Sequence, residues 1–77
     1  MKNVIIYSTP TCHYCHGAKD FFKKHNISYT DYNVAEDKQK AEEMVQKTGQ
    51  MGVPAIFVDG ALVMGFDEPR LKELLGV

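Results

Sequence analysis

The sequence has no tryptophan, only two cysteines and only three prolines in 77 residues. Each scarcity excludes something. Without tryptophan, and with its basic residues scattered, the chain offers no stacking groove for single-stranded nucleic acid. Nine Lys and Arg against ten Asp and Glu leave a net charge of −1, so no basic face attracts a polyanion. Apolar runs last only a few residues, far short of the ~20 that span a bilayer. The opening stretch, Met1 to Tyr7, turns polar too soon for the apolar core of a secretion signal. The expectation is a cytoplasmic chain with no membrane partner, in a compartment that keeps thiols reduced. Two cysteines are too few for a disulfide framework. Cys12 and Cys15 also stand so close that a bridge would restrain little of the unfolded chain. Stability is not their expected role, which leaves metal, haem or redox chemistry.

What is present is the mixture of a folded domain: 44% apolar and 25% charged residues. At this length a single domain over 1–77 is expected. Val4 to Tyr7 is β-branched and aromatic on both faces, as in a central strand. Ser8 to Thr11 stops it, and a helix follows from near Cys12. Its stripe is Tyr14, Cys15, Ala18, Phe21 and Phe22, and His25-Asn26 ends it. Ile27 to Val34 reads as an edge strand, because Asp31 and Asn33 interrupt the apolar pattern. Glu36 to Thr48 reads as a second helix, with Ala41, Met44, Val45 and Thr48 on one face and Gly49 as its stop. Ala55–Val58 and Ala61–Met64 flank Asp59-Gly60, the signal of a hairpin with a type I′ turn. Asp67 caps a last helix with Pro69 in its first turn and Leu71, Leu74 and Leu75 inside. The order β-α-β-α-β-β-α predicts an α/β fold: a four-stranded mixed sheet flanked by helices.

The cysteine pair then acquires a setting. Cys12 falls where a loop becomes a helix, beside unpaired N–H groups of partial positive charge, which stabilise a thiolate. Cys15 lies one turn later, within reach of that sulfur. A nucleophilic thiolate with a second thiol to resolve the mixed disulfide is what dithiol exchange requires. His13 follows the nucleophile directly and is the candidate for tuning its acidity. The string Cys12-His13-Tyr14-Cys15-His16 also matches the attachment signal of c-type haem, with Met44, Met51 or Met64 as axial ligand. The βαβ setting favours redox chemistry over haem. Zinc on Cys12, Cys15, His16 and His25 lacks a usual ligand spacing. His16 and His25 are read as solvated helix residues.

Taken with Gly52-Val53-Pro54 and Met64-Gly65-Phe66-Asp67, the motif Cys12-His13-Tyr14-Cys15 resembles the glutaredoxins, of the thioredoxin fold, over nearly the whole chain. The family's active site is Cys-Pro-Tyr-Cys, and His13 replaces its proline. The resemblance implies a dithiol disulfide oxidoreductase with nothing tightly bound and glutathione as co-substrate. It also implies a cis bond at Pro54, Val53 and Pro54 aligning an extended substrate, and Tyr14 and Phe66 at the rim. Backbone N–H groups of Gly65, Phe66 and Asp67 would take a carboxylate, and Asp67 an ammonium. Thr9 stands where a lysine is common in the family, Met64 replaces a glycine of its Gly-Gly segment, and Lys19 matches a basic position. Implied partners are disulfide-containing proteins and, as electron source, glutathione or thioredoxin reductase, with the chain a monomer. An iron–sulfur carrier of the same family is the alternative.

Overall fold

The computed structural model describes residues 3–77; Met1 and Lys2, part of the stretch read for a secretion signal, lie outside it. Seven elements follow in the expected order. They are β1 (Val4–Ser8), α1 (His13–Lys24), β2 (Thr30–Asn33), α2 (Lys38–Thr48), β3 (Ala55–Val58), β4 (Ala61–Met64) and α3 (Glu68–Leu75). The strands form one mixed sheet in the order β2-β1-β3-β4. β1 runs parallel to β2, with Ile5 opposite Thr30, and antiparallel to β3, with Ile6 opposite Ile56. β3 and β4 form the hairpin. Asp59 and Gly60 both have positive φ, 50° and 87°, the backbone of a type I′ turn.

The apolar run of β1 is explained by its burial on both faces. Val4 and Ile6 join Ala18, Phe21 and Phe22 of α1, Ile56, Val58 and Val63 of the hairpin, and Leu71 of α3 in one core. Tyr7 points to the opposite face and meets Met44 of α2 and Ala55, with Ile5 and Phe57 packed alongside. The period of two along the strand therefore sorts side chains between two cores, α1 and α3 over one and α2 over the other.

Three expectations shift. The second strand is shorter than Ile27–Val34. Ile27 donates its N–H to Phe22 C=O at 2.8 Å and so closes the end of α1, which prevents strand pairing there. Helix α2 begins at Lys38 rather than Glu36, since Asp37 takes the cap and accepts from Lys40 N. Val45, placed above on the inner face, is exposed: Met44 supplies the buried contact of that helix, and the residue after it turns outward.

Among the described residues no helix is long and apolar enough to cross a membrane.

Candidate active site

Pro10 follows Thr9 at the end of β1 and turns the chain, with Cys12 N–H returning to Thr9 C=O at 3.3 Å. Cys12 is thereby the N-cap of α1, in extended conformation (φ −87°, ψ 114°). Its sulfur occupies the place usually held by a serine or aspartate oxygen and accepts from Cys15 N at 3.2 Å. Charge on that sulfur would face the positive end of α1, whose first turn contains no acidic residue to oppose it. Cys12 is partly exposed, and Cys15 is fully buried. Both are free thiols.

Burial pushes the Cys15 thiol up to about 12, and the neighbouring Cys12 sulfur adds to the rise against the opposing pull of the Thr9 backbone and Lys19. The two cysteines are thus unequal by position: one accessible sulfur on a helix cap, one protonated thiol behind it. The inequality has a consequence for stability. Above pH 9.0 the unfolded chain gives up the Cys15 proton while the folded chain keeps it. The folded state then binds more protons, so stability falls as pH rises through this range. Urea midpoints of the reduced protein are expected to drop from pH 9 upward, and to drop less in Cys15→Ser. Equal slopes in the two proteins would refute the assignment.

The second wall of the site comes from the other end of the sheet. The Val53–Pro54 bond is cis, as the resemblance implied, and the Val53 carbonyl lies 3.9 Å from Cys12 Sγ. Pro54 C=O accepts from Gly65 N at 2.8 Å, which ties this loop to the end of β4. Gly65 adopts φ +76°, a left-handed backbone that a side chain would disfavour. Of the three N–H groups expected to take a carboxylate, that of Gly65 already has a partner in Pro54 C=O. Asp67 is the N-cap of α3 and accepts from Arg70 N at 3.3 Å.

The aromatic residues divide. Tyr14 is 69% exposed and is not in the buried stripe of α1; that stripe is Cys15, Ala18, Phe21 and Phe22. Residue 14 lies in the first turn, where Cys15 is the residue turned into the core. Phe66 is half-buried and packs inward, 6.0 Å from the Phe21 ring. Gly17 makes room for it: a Cβ there would stand 3.3 Å from Phe66 Cδ2.

The histidines also part ways. His13 is exposed. The His25 ring packs against Phe21, tilted by 57° with ring centroids 4.6 Å apart, and His16 turns its ring to the Pro10 carbonyl at 2.8 Å. His16 is exposed, as expected of a solvated helix residue, whereas His25 is half-buried. Among the described residues no three His, Cys, Asp or Glu side chains converge to hold a metal. Behind the site, buried Ser8 donates its hydroxyl to Asp31 Oδ1 at 2.6 Å, and Asp31 pairs with Lys19 at 2.7 Å. This network was not legible in the sequence, where Asp31 marked only an edge strand and Lys19 only a basic position.

Residues 4–63 match the glutaredoxin family model. An uncharacterized glutaredoxin-like 8.6 kDa protein in the rubredoxin operon of Clostridium pasteurianum is 43% identical over 70 residues, covering 91% of this chain and 93% of its own. Glutaredoxin 3 of Escherichia coli is 37% identical over 68 residues, covering 88% and 82%. Among solved structures, a glutaredoxin from Archaeoglobus fulgidus superposes with a TM-score of 0.86 at 25% identity, over 97% of this chain and 87% of that one.

Proposed function

This chain belongs to the glutaredoxin family of thiol–disulfide oxidoreductases, and from that premise we propose that Cys12 is its nucleophile and Cys15 its resolving thiol. The observation that carries this division of labour is the Cys12 sulfur on the cap of α1, 3.2 Å from Cys15 N, with the Cys15 thiol buried behind it. The Cys12 thiolate attacks one sulfur of a substrate disulfide. A mixed disulfide forms, and the other substrate sulfur leaves as a thiolate and takes up a proton. Cys15 then gives up its proton and attacks Cys12 Sγ, which releases the second substrate thiol. The substrate disulfide is reduced to two thiols and the Cys12–Cys15 pair is oxidised to a disulfide.

The substrates in this reading are protein disulfides and glutathione mixed disulfides. Val53 and Pro54 align the incoming chain, and the position of the Val53 carbonyl beside Cys12 supports this. Tyr14 lines the rim, and Phe66 adds only its outer edge. Phe66 and Asp67 at the start of α3 are the remaining contacts for a glutathione carboxylate or ammonium, and His13 beside the nucleophile supports its thiolate when protonated. No cofactor is held tightly. One domain, 1–77, acts as a monomer in the cytoplasm.

Electrons return from glutathione or from thioredoxin reductase. Turnover of a small disulfide with glutathione and its reductase, set against turnover with thioredoxin reductase, separates the two. The thioredoxin reductase arm is expected to dominate, because Thr9 offers no cation and the Gly65 N–H is already used. Dominance of the glutathione arm would reverse the assignment of the donor. Turnover in neither arm would overturn the reading as a disulfide reductase.

A further inference from the structure

The cysteine motif ends in a histidine that the exchange chemistry above does not use. His16 Nε2 lies 2.8 Å from the Pro10 carbonyl oxygen. A carbonyl only accepts, so Nε2 carries a proton in that contact. The backbone N–H of the same residue donates to Cys12 C=O at 3.2 Å. That backbone bond is the first i→i−4 bond of α1 and would form with any residue there that has a backbone N–H; the ring contact to the carbonyl before the nucleophile is what the histidine itself adds. The turn's own bond, from Cys12 N–H to Thr9 C=O, is long at 3.3 Å. Pro10 itself has no N–H to contribute a further one.

We infer that His16 is a positioning residue, whose ring clamps the Pro10 carbonyl and thereby seats the Cys12 sulfur on the cap of α1. The inference rests on Cys12 and Cys15 being the redox pair. Its consequence differs between the two redox states. In the disulfide, the covalent bond to Cys15 fixes Cys12 whether or not the turn is clamped. In the dithiol, the sulfur is held by the Cys15 N–H contact, by a long contact to the Val53 carbonyl and by the turn that presents it. The clamp therefore favours the reduced form. Its loss moves the equilibrium of protein disulfide plus two glutathione with protein dithiol plus glutathione disulfide toward the protein disulfide.

The test is that equilibrium, measured in glutathione redox buffers for wild type, His16→Leu and His16→Gln. One net hydrogen bond corresponds to a shift of about threefold to tenfold. His16→Leu is expected to shift by that amount toward the disulfide, and tenfold is a potential about 30 mV more negative. His16→Gln places an amide nitrogen near the position of Nε2 and is expected to restore most of the wild-type value. An unchanged equilibrium in His16→Leu overturns the inference, and so does a His16→Gln that behaves like His16→Leu. A second reading needs no variant: long-range 15N–1H NMR of the wild-type imidazole is expected to show a protonated Nε2. A neutral ring protonated mainly at Nδ1 overturns the clamp even if a variant fails to fold. A wild-type chain that never forms the Cys12–Cys15 disulfide overturns the redox pair itself. The tautomer measurement keeps that failure distinct from the absence of the clamp.

Discussion

Replacing Cys12 by serine is expected to lower disulfide turnover by on the order of a thousandfold or more. A serine hydroxyl can occupy the cap and accept from Cys15 N as the sulfur does, so the fold should survive. What disappears is the sulfur nucleophile itself, and a serine hydroxyl does not attack a disulfide in its place. Cys15 cannot replace it, because it is fully buried and its thiol is held up to about 12. The complementary variant, Cys15→Ser, is expected to keep the first attack and to stall afterwards, with the mixed disulfide at Cys12 accumulating. Intact mass spectrometry after mixing with an oxidised substrate reads this directly. An adduct on Cys12→Ser, or none on Cys15→Ser, would exchange or abolish the two roles.

The second large effect concerns stability. Phe22→Ala is expected to cost about 3–5 kcal/mol. For a domain of this size, total stability is on the order of 4–12 kcal/mol, so about a quarter or more of it would be lost. Phe22 is fully buried, with its ring centroid 5.9 Å from Phe21 and 5.2 Å from Tyr29. It stands where α1 meets β1 and the hairpin, and the neighbouring rings cannot collapse into the cavity without losing their own contacts. Tyr14→Ala, at the exposed rim of the same helix, should stay within about 0.5 kcal/mol of wild type. Urea denaturation of the two variants beside wild type makes the comparison. A loss below about 1 kcal/mol for Phe22→Ala would mean that the core closes over the gap.

The contrast between these two aromatic residues shows how far pattern reading reaches. Both sit on α1 and both fit a helical stripe by spacing. Spacing alone cannot say which turn of the helix first meets the sheet. Position 14, in the first turn beside the Cys12 cap, lies outside the core, and position 22, two turns on, lies inside it. The same limit applies to Val45 and Met44 on α2: adjacent residues of similar character, one outward and one in contact with the core. Legibility was best where a local conformation demands a particular residue. Asp59-Gly60 marked the hairpin turn and Gly49 the end of α2, since both depend on backbone conformations that few residues adopt.

The histidines mark the other boundary. His16 is separated from Pro10 by six positions, and no periodicity links an imidazole to a carbonyl in the preceding turn. The Ser8–Asp31–Lys19 network joins two strands and a helix, and the commitment of Gly65 N–H to Pro54 joins the end of β4 to the loop before β3. Each of these contacts depends on where distant segments come to rest. Sequence by itself determined the order of elements, the cysteine pair at a helix start and the family, because these follow from short-range pattern and local chemistry. Only the tertiary structure decided which thiol is buried, which histidine touches the turn and which backbone groups remain for a ligand. Those answers depend on solvent exclusion and on hydrogen bonds between segments that the chain connects only through space.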